Sequence, residues 1–389
     1  MLKAYKYRLY PTESQKEYFA NCFGCVRFIY NRMLSDKIDH YKETKQMLKN
    51  TPAQYKKEFP FLKEVDSLAL ANAQQNLERA YKNFFRDTSV GFPKFKSKHK
   101  SKSSYTTNNQ GGNIRIEDGK IKFPKIGFVK LKQHRAFDGV IKSCTVSMSK
   151  SGKYFVSILV ESEEEEVRTT ERKIGIDLGI SDFAITSNDL GEVKKHENPK
   201  HLYKSEKKLK KAQRSLSRKQ KDGENRNKTR LVVAKKHEKI ANQRKDFLHK
   251  LTKQITDENQ VIVIETLSSK NLMKNHKLAG SIADASWCEL IKQIDYKCNF
   301  YGKELIKVDR WFPSSKTCSR CGHIKNDLKL QDRIFRCDNC GYQIDRDLNA
   351  SKNIKAGGVT PAQQTAMGCK TCFNKKLKQA IPDDLLSFL

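Results

Sequence analysis

The chain has 389 residues, too many for one ordinary domain; at about 150 residues per domain it should hold two or three. Lys and Arg number 77 against 44 Asp and Glu, a net charge of +33, while the apolar share is 37%. That balance argues against a membrane protein, whose spans need ~20 apolar residues where this chain's longest runs resemble Val261-Ile262-Val263-Ile264, and the basic excess points to a polyanion, above all nucleic acid.

The opening MLKAYKYRLYP has no apolar signal region, and its alternation of Tyr5, Tyr7 and Leu9 with basic residues predicts a strand. Thr12, with Gln15 three residues on, predicts a capping box and a helix start. That helix carries Tyr18, Phe19, Cys22, Val26, Ile29 and Tyr30 at helical spacing, so Cys22 and Cys25 read as core residues rather than metal ligands. A second amphipathic helix is predicted over about 66–86, with Leu70, Ala73, Leu77, Tyr81 and Phe84 on its apolar face. Gln74 and Gln75 lie beside that face; paired amides can read base edges, and a solvated helix face accounts for them equally well.

Residues 91–112 break the regular pattern. Lys94, Lys96, Lys98 and Tyr105, interleaved with Phe92 and Phe95, suit a single-stranded nucleic acid, lysines for phosphate and rings for bases; the alternative is a solvated basic loop. From 113 to 162 short alternating strands separated by Asp118-Gly119 and Ser151-Gly152 predict a small β-barrel or meander, and the acidic run at 161–166 predicts a domain junction. KIGIDLGISDFAITSN (173–188) reads as a β-hairpin. Two basic helical arms divided near Gly223 follow; residues 201–250 alone hold 18 Lys and Arg against 5 Asp and Glu. QVIVIE (260–265), a helix over about 283–301 and ELIKVD (304–309) complete a strand–helix–strand unit.

Eleven cysteines, an odd and clustered set, argue against a disulfide framework. Cys318, Cys321, Cys337 and Cys340 form two C-x-x-C knuckles, the spacing of a closed, all-thiolate structural Zn²⁺ site, with Gly322 and Gly341 supplying the turns. Cys369 and Cys372 have no second pair nearby, so metal binding is the lesser reading for them. Three acids form a second constellation. Asp177 ends one strand, Glu265 ends the apolar strand QVIVIE, and Asp347 opens a short helix. Acids so placed can converge at the carboxyl edge of an α/β sheet, where they would hold Mg²⁺ or Mn²⁺ and support phosphodiester hydrolysis by a two-metal mechanism. Singly, each has an ordinary alternative: a turn residue, a strand end, or a helix N-cap beside Asp345.

GIDLGIS (175–181), VIVIETLSSKNLMKN (261–275), RWFPSSKTCSRCG (310–322) and CDNCGYQIDRDLNASKNI (337–354) resemble the transposon-encoded TnpB family, as do YKYRLYPTESQ, AYKNFFRD (80–87), GFPKFKSK (91–98), RKDFLHKLT (244–252) and DASWCELIKQIDYK (284–297). The resemblance extends to about residue 355 and implies an RNA-guided DNA endonuclease of a prokaryotic cytoplasm, with guide RNA and target DNA as partners and no membrane. It implies a multidomain α+β fold: a β-barrel (1–10 and 111–170), a helical recognition domain (11–110), and an RNase H-like (RuvC) α/β nuclease domain (171–313 and 344–360). The zinc ribbon (314–343) is inserted in that nuclease domain, and a tail (361–389) matches nothing in the family. Asp177, Glu265 and Asp347 match the family's RuvC acids, and the D-R-D-x-N pattern selects Asp347 over Asp345. Three rivals are a nuclease-silent RNA-guided regulator, an RNase H-like transposase, and an actin-type ATPase, the last lacking any later DxGGG-like loop.

Overall fold

A computed structural model describes residues 1–163, 169–329 and 331–357. The tail and the Cys369/Cys372 pair lie outside these residues, as does most of the acidic run at the expected junction. The chain divides into two compact units, one of Met1–Glu165 with Leu216–Lys235, the other of Glu166–Ser215 with Lys236–Leu389.

The first unit is built on a seven-stranded antiparallel sheet. β1 (Leu2–Tyr10) is followed by the helices α1 (Glu13–Thr44), α2 (Pro52–Tyr55) and α3 (Ser67–Arg86). Then come β2 (Ser103–Asn108), β3 (Arg115–Glu117), β4 (Lys120–Phe123), β5 (Gly127–Lys132), β6 (Val140–Met148) and β7 (Tyr154–Glu161). The spatial order is β2-β6-β7-β1-β5-β4-β3. Alternation decides the buried face: Tyr7 and Leu9 of β1 and Val156, Ile158 and Val160 of β7 turn inward, against Phe19, Ile29 and Met33 of α1. The expected capping box is present, Thr12 Oγ1 accepting from Gln15 N at 3.4 Å and Gln15 Oε1 accepting from Thr12 N at 3.1 Å. Cys22 and Cys25 are buried free thiols in this core. The strand β2 was not visible in the sequence, because only Tyr105 and Thr107 point inward and the rest is Ser, Thr and Asn.

In the second unit β8 (Lys173–Leu178), β9 (Asp182–Asn188) and β10 (Val193–Glu197) form an antiparallel meander. The helices α4 (His201–Ser217) and α5 (Glu224–Glu258) lead to β11 (Val261–Glu265), which pairs parallel to β8. After α6 (Ser269–Leu272), α7 (His276–Ala285) and α8 (Trp287–Phe300), β12 (Glu304–Val308) adds in parallel to β11. The single helix expected over 283–301 is broken at Ser286, whose φ of 56° is left-handed and cannot continue α7. Asp284 ties α7 to α4 and α5, accepting from Leu202 N at 2.9 Å and pairing with Arg244 at 3.0 Å. The five-stranded order is β10-β9-β8-β11-β12. Ile176, Leu178, Ile262 and Ile264 pack with α5 and α8 on one face through Leu248, Leu290 and Ile294. The small hairpin β13 (Ile334–Arg336) and β14 (Gln343–Asp345) precedes the last described helix, α9 (Arg346–Gly357). Among the described residues no helix is long and apolar enough to cross a membrane.

Candidate functional site

Two central strands deliver two acids to one edge. In the parallel β8–β11 pair Ile176 lies opposite Ile264, so Asp177 and Glu265, the next residues, emerge together. Glu265 Oε1 accepts the backbone N–H of Leu178 at 2.9 Å, fixing its carboxylate across the strand gap. The third acid arrives on α9. A Cβ on Gly175 would lie 2.3 Å from the Ser351 carbonyl oxygen, so this glycine lets the helix backbone rest directly on β8. From Gly175 to Asp177 is two residues of strand, about 6.6 Å; from Ser351 back to Asp347 is one helical turn, about 6 Å. The two rises match, and Asp347 reaches the level of Asp177.

Asp345, not Asp347, caps α9: its Oδ1 accepts from Asp347 N at 3.0 Å and Leu348 N at 3.1 Å. Asp345 is also held by Lys195 at 2.8 Å, and Lys195 lies opposite Ile185, itself opposite Asp177. Burial raises Asp345, but Lys195 and the two N–H donors outweigh it and hold the carboxyl below its usual range. Asp347 faces Arg346 at 3.1 Å and Arg333 at 3.7 Å.

Electrostatics sets the two strand-end acids apart. Burial, then the charges of Glu265 and Asp347, push Asp177 up to about 8. Burial is also the main cause for Glu265, pushed up to about 7 against the lowering effect of the Leu178 N–H. Burial and mutual repulsion favour protons on Asp177 and Glu265 near neutrality, and a hard cation held by these carboxylates could replace them.

The four cysteines meet in the ribbon. Cys318 and Cys340 sulfurs are 3.7 Å apart and Cys321 and Cys337 sulfurs 3.5 Å, with all four within 4.8 Å of one another. A tetrahedron of Zn–S bonds gives edges of about 3.8 Å, whereas a disulfide needs about 2.0 Å. Gly322 and Gly341 adopt φ of 76° and 67°, the left-handed turns expected of the two knuckles. Phe335, fully buried, packs beneath them. Asn349 anchors this centre to α9, donating to Thr317 O at 2.6 Å and accepting from Ser319 N at 2.9 Å. Asn353 adds bonds to Ser314 O and Thr317 O at 2.7 and 2.6 Å.

The expected nucleic-acid residues fare differently. Tyr105 is 3% exposed and packs between Phe19 and Phe23, so the expectation that it stacks on bases is corrected: its ring is core. Lys94 and Lys98 are exposed. Lys96 is half-buried, its Nζ 3.7 Å from the Tyr30 ring centroid and its backbone pinned by Asn31 at 2.8 Å in both directions. Gln75 is exposed, and Gln74 donates to Glu78 on its own helix at 2.8 Å. Sequence reasoning missed Lys195, Arg333, Arg346 and Asn349; only the register of β8, β9 and β10 places Lys195 near the acids.

Known proteins supply an independent comparison. Residues 157–276 match a family described as a probable transposase (OrfB_IS605), residues 287–354 a Cas12f1-like TNB domain, and residues 1–46 a helix-turn-helix domain. A relative from Streptomyces pristinaespiralis, named as an RNA-guided DNA endonuclease, is 40% identical over 92% of this chain and 89% of its own. The chain belongs to the TnpB family. A second TnpB-family relative is InsQ of Escherichia coli (strain K12), also named as an RNA-guided DNA endonuclease, 32% identical over 92% of both chains. The fold of this TnpB-family chain is similar to that in a cryo-EM structure of a Cas12f1–sgRNA–target DNA complex, with a TM-score of 0.58, 13% identity and coverage of 93% of this chain and 99% of the other.

Proposed function

We propose that this chain is an RNA-guided DNA endonuclease whose RNase H-like (RuvC) sheet hydrolyses phosphodiester bonds at Asp177, Glu265 and Asp347. The observation that carries the reading is the β8–β11 register, which brings Asp177 and Glu265 out together at one sheet edge, with Asp347 near enough that, after burial and Glu265, its charge also raises Asp177. The strand order β10-β9-β8-β11-β12, antiparallel then parallel, supports the RNase H-like assignment. The names of the TnpB relatives support guide RNA and target DNA as partners.

Asp177, Glu265 and Asp347 would hold the divalent cations, and Cys318, Cys321, Cys337 and Cys340 a structural Zn²⁺. When bound, Mg²⁺ or Mn²⁺ supplies positive charge to the reacting phosphodiester oxygens. Asp177 and Glu265 give up their protons as that charge arrives, and the Leu178 N–H keeps Glu265 aimed at the edge. Asp345 and Lys195 hold the first turn of α9, and Arg346 and Arg333 fix the Asp347 carboxylate. The four-thiolate centre has no open position and does no chemistry on DNA. Sequence specificity is left to base pairing.

The test is cleavage of a guide-matched DNA by the full chain carrying its RNA. Asp177→Ala should abolish Mg²⁺-dependent cutting while RNA binding stays intact; undiminished cutting overturns the site.

A further inference from the structure

We propose that Trp311 is a stacking platform for an unpaired base of the single-stranded DNA that reaches the carboxylates. The proposal rests on the nuclease reading for its ligand, and its geometry is independent of it. The chain has two tryptophans: Trp287 is 4% exposed in the core, whereas Trp311 is 78% exposed. Its position is what makes that exposure informative. Glu265 pairs with Val308, the last residue of β12, and Trp311 follows three residues later. Strand spacing and chain reach place its backbone within about 15 Å of Glu265, the span of a few nucleotides.

The ring is carried on a fixed turn. Trp311 N donates to Asp309 Oδ1 at 2.8 Å, and Phe312 N donates to Asp309 O at 3.1 Å. The next side chain, Phe312, turns inward against Val308 and Ile354, seated so closely over Gly357 that a Cβ there would fall 2.6 Å from its ring. With Phe312 anchored inside, Trp311 is left outside. The Arg310 guanidinium carbon sits 4.9 Å from the indole centroid. An open indole bearing a guanidinium offers a π-face to a base and a positive charge to the adjoining phosphate, the pairing that single-strand binders use. A purely structural tryptophan would bury its ring; this one buries little.

The two sources of an unpaired base are separable. In the full chain without divalent cation, oligothymidylate should quench the indole emission, and Trp311→Phe should remove the quenchable part because Trp287 is enclosed. An abasic oligonucleotide with the same phosphates should leave the emission unchanged. In the guide-loaded complex Trp311→Ala should cut DNA on the order of ten-fold more slowly at subsaturating target, with Trp311→Phe restoring most of the rate. Equal quenching by the abasic strand, stronger quenching by oligouridylate, or wild-type cutting by Trp311→Ala would each overturn the platform. Persistent cutting by Asp177→Ala would instead overturn the carboxylate site and leave the quenching result standing.

Discussion

Replacing Asn349 by Ala loosens the cysteine ribbon from the acid-bearing helix without touching a cysteine or a carboxylate. Asn349 is fully buried and bridges Thr317 O and Ser319 N across the first cysteine knuckle. In the variant Thr317 O still accepts from Asn353 at 2.6 Å, so on that side only one net bond is lost, about 0.5–1.5 kcal/mol. The half-buried Ser319 N–H is left without its partner, which costs about 1–3 kcal/mol more. Together that is about 1.5–4.5 kcal/mol, on the order of 10- to 2,000-fold if the loss falls on the knuckle. Zinc release to a colorimetric chelator, followed in time with urea unfolding alongside, reads it directly. Asn349→Ala should release zinc faster and lower the unfolding midpoint, while Asn349→Asp, which keeps the acceptor for Ser319, should fall between. Unchanged release and midpoint in Asn349→Ala would refute the bridge.

Gly175→Ala places a methyl 2.3 Å from the Ser351 carbonyl, so α9 must move and carry Asp347 with it; a loss of about 100-fold in cleavage with RNA binding intact is expected. Wild-type cleavage would show that α9 has slack. Asp177 and Glu265 rise in the folded chain from 3.8 to about 8 and from 4.5 to about 7. Without divalent cation the folded state therefore keeps protons that the unfolded state has released, and stability present below about pH 4 is lost as pH rises through 7–8. Urea midpoints in chelator should fall between about pH 5 and pH 8, and added Mg²⁺ should flatten the slope; a midpoint that climbs with pH contradicts it. Cys318→Ser should weaken zinc retention, measured by atomic absorption after dialysis, since it removes one of the four thiolates that would close the site. Thr12→Ala removes the α1 cap and should cost about 1 kcal/mol by denaturant titration.

Features encoded by local spacing were legible in the sequence. The capping box at Thr12 and Gln15, the apolar faces of α1 and α3, the two knuckles and the β8–β9 hairpin all follow from short patterns. What escaped depends on partners distant in sequence. Strand β2 carries a single inward aromatic, and Tyr105 stood in a lysine- and serine-rich run that disguised a core ring. The capping role of Asp345 and the positions of Lys195 and Arg333 depend on how α9 and the ribbon meet the sheet, which no alternation or spacing encodes. The resemblance selects Asp347 over Asp345; in the structure Asp345 caps α9 and pairs with Lys195, whereas Asp347 pairs with Arg346 and Arg333.

Strand β1 is the middle of a sheet. β1 sits between β5 and β7, with Leu2 opposite Glu161 and the Met1 ammonium donating to Ser162 O at 2.7 Å. At a synthesis rate of about 5–20 residues per second, this strand waits roughly 8–30 s for β7 to appear. Throughout that interval the apolar face of α1 has no sheet to cover it.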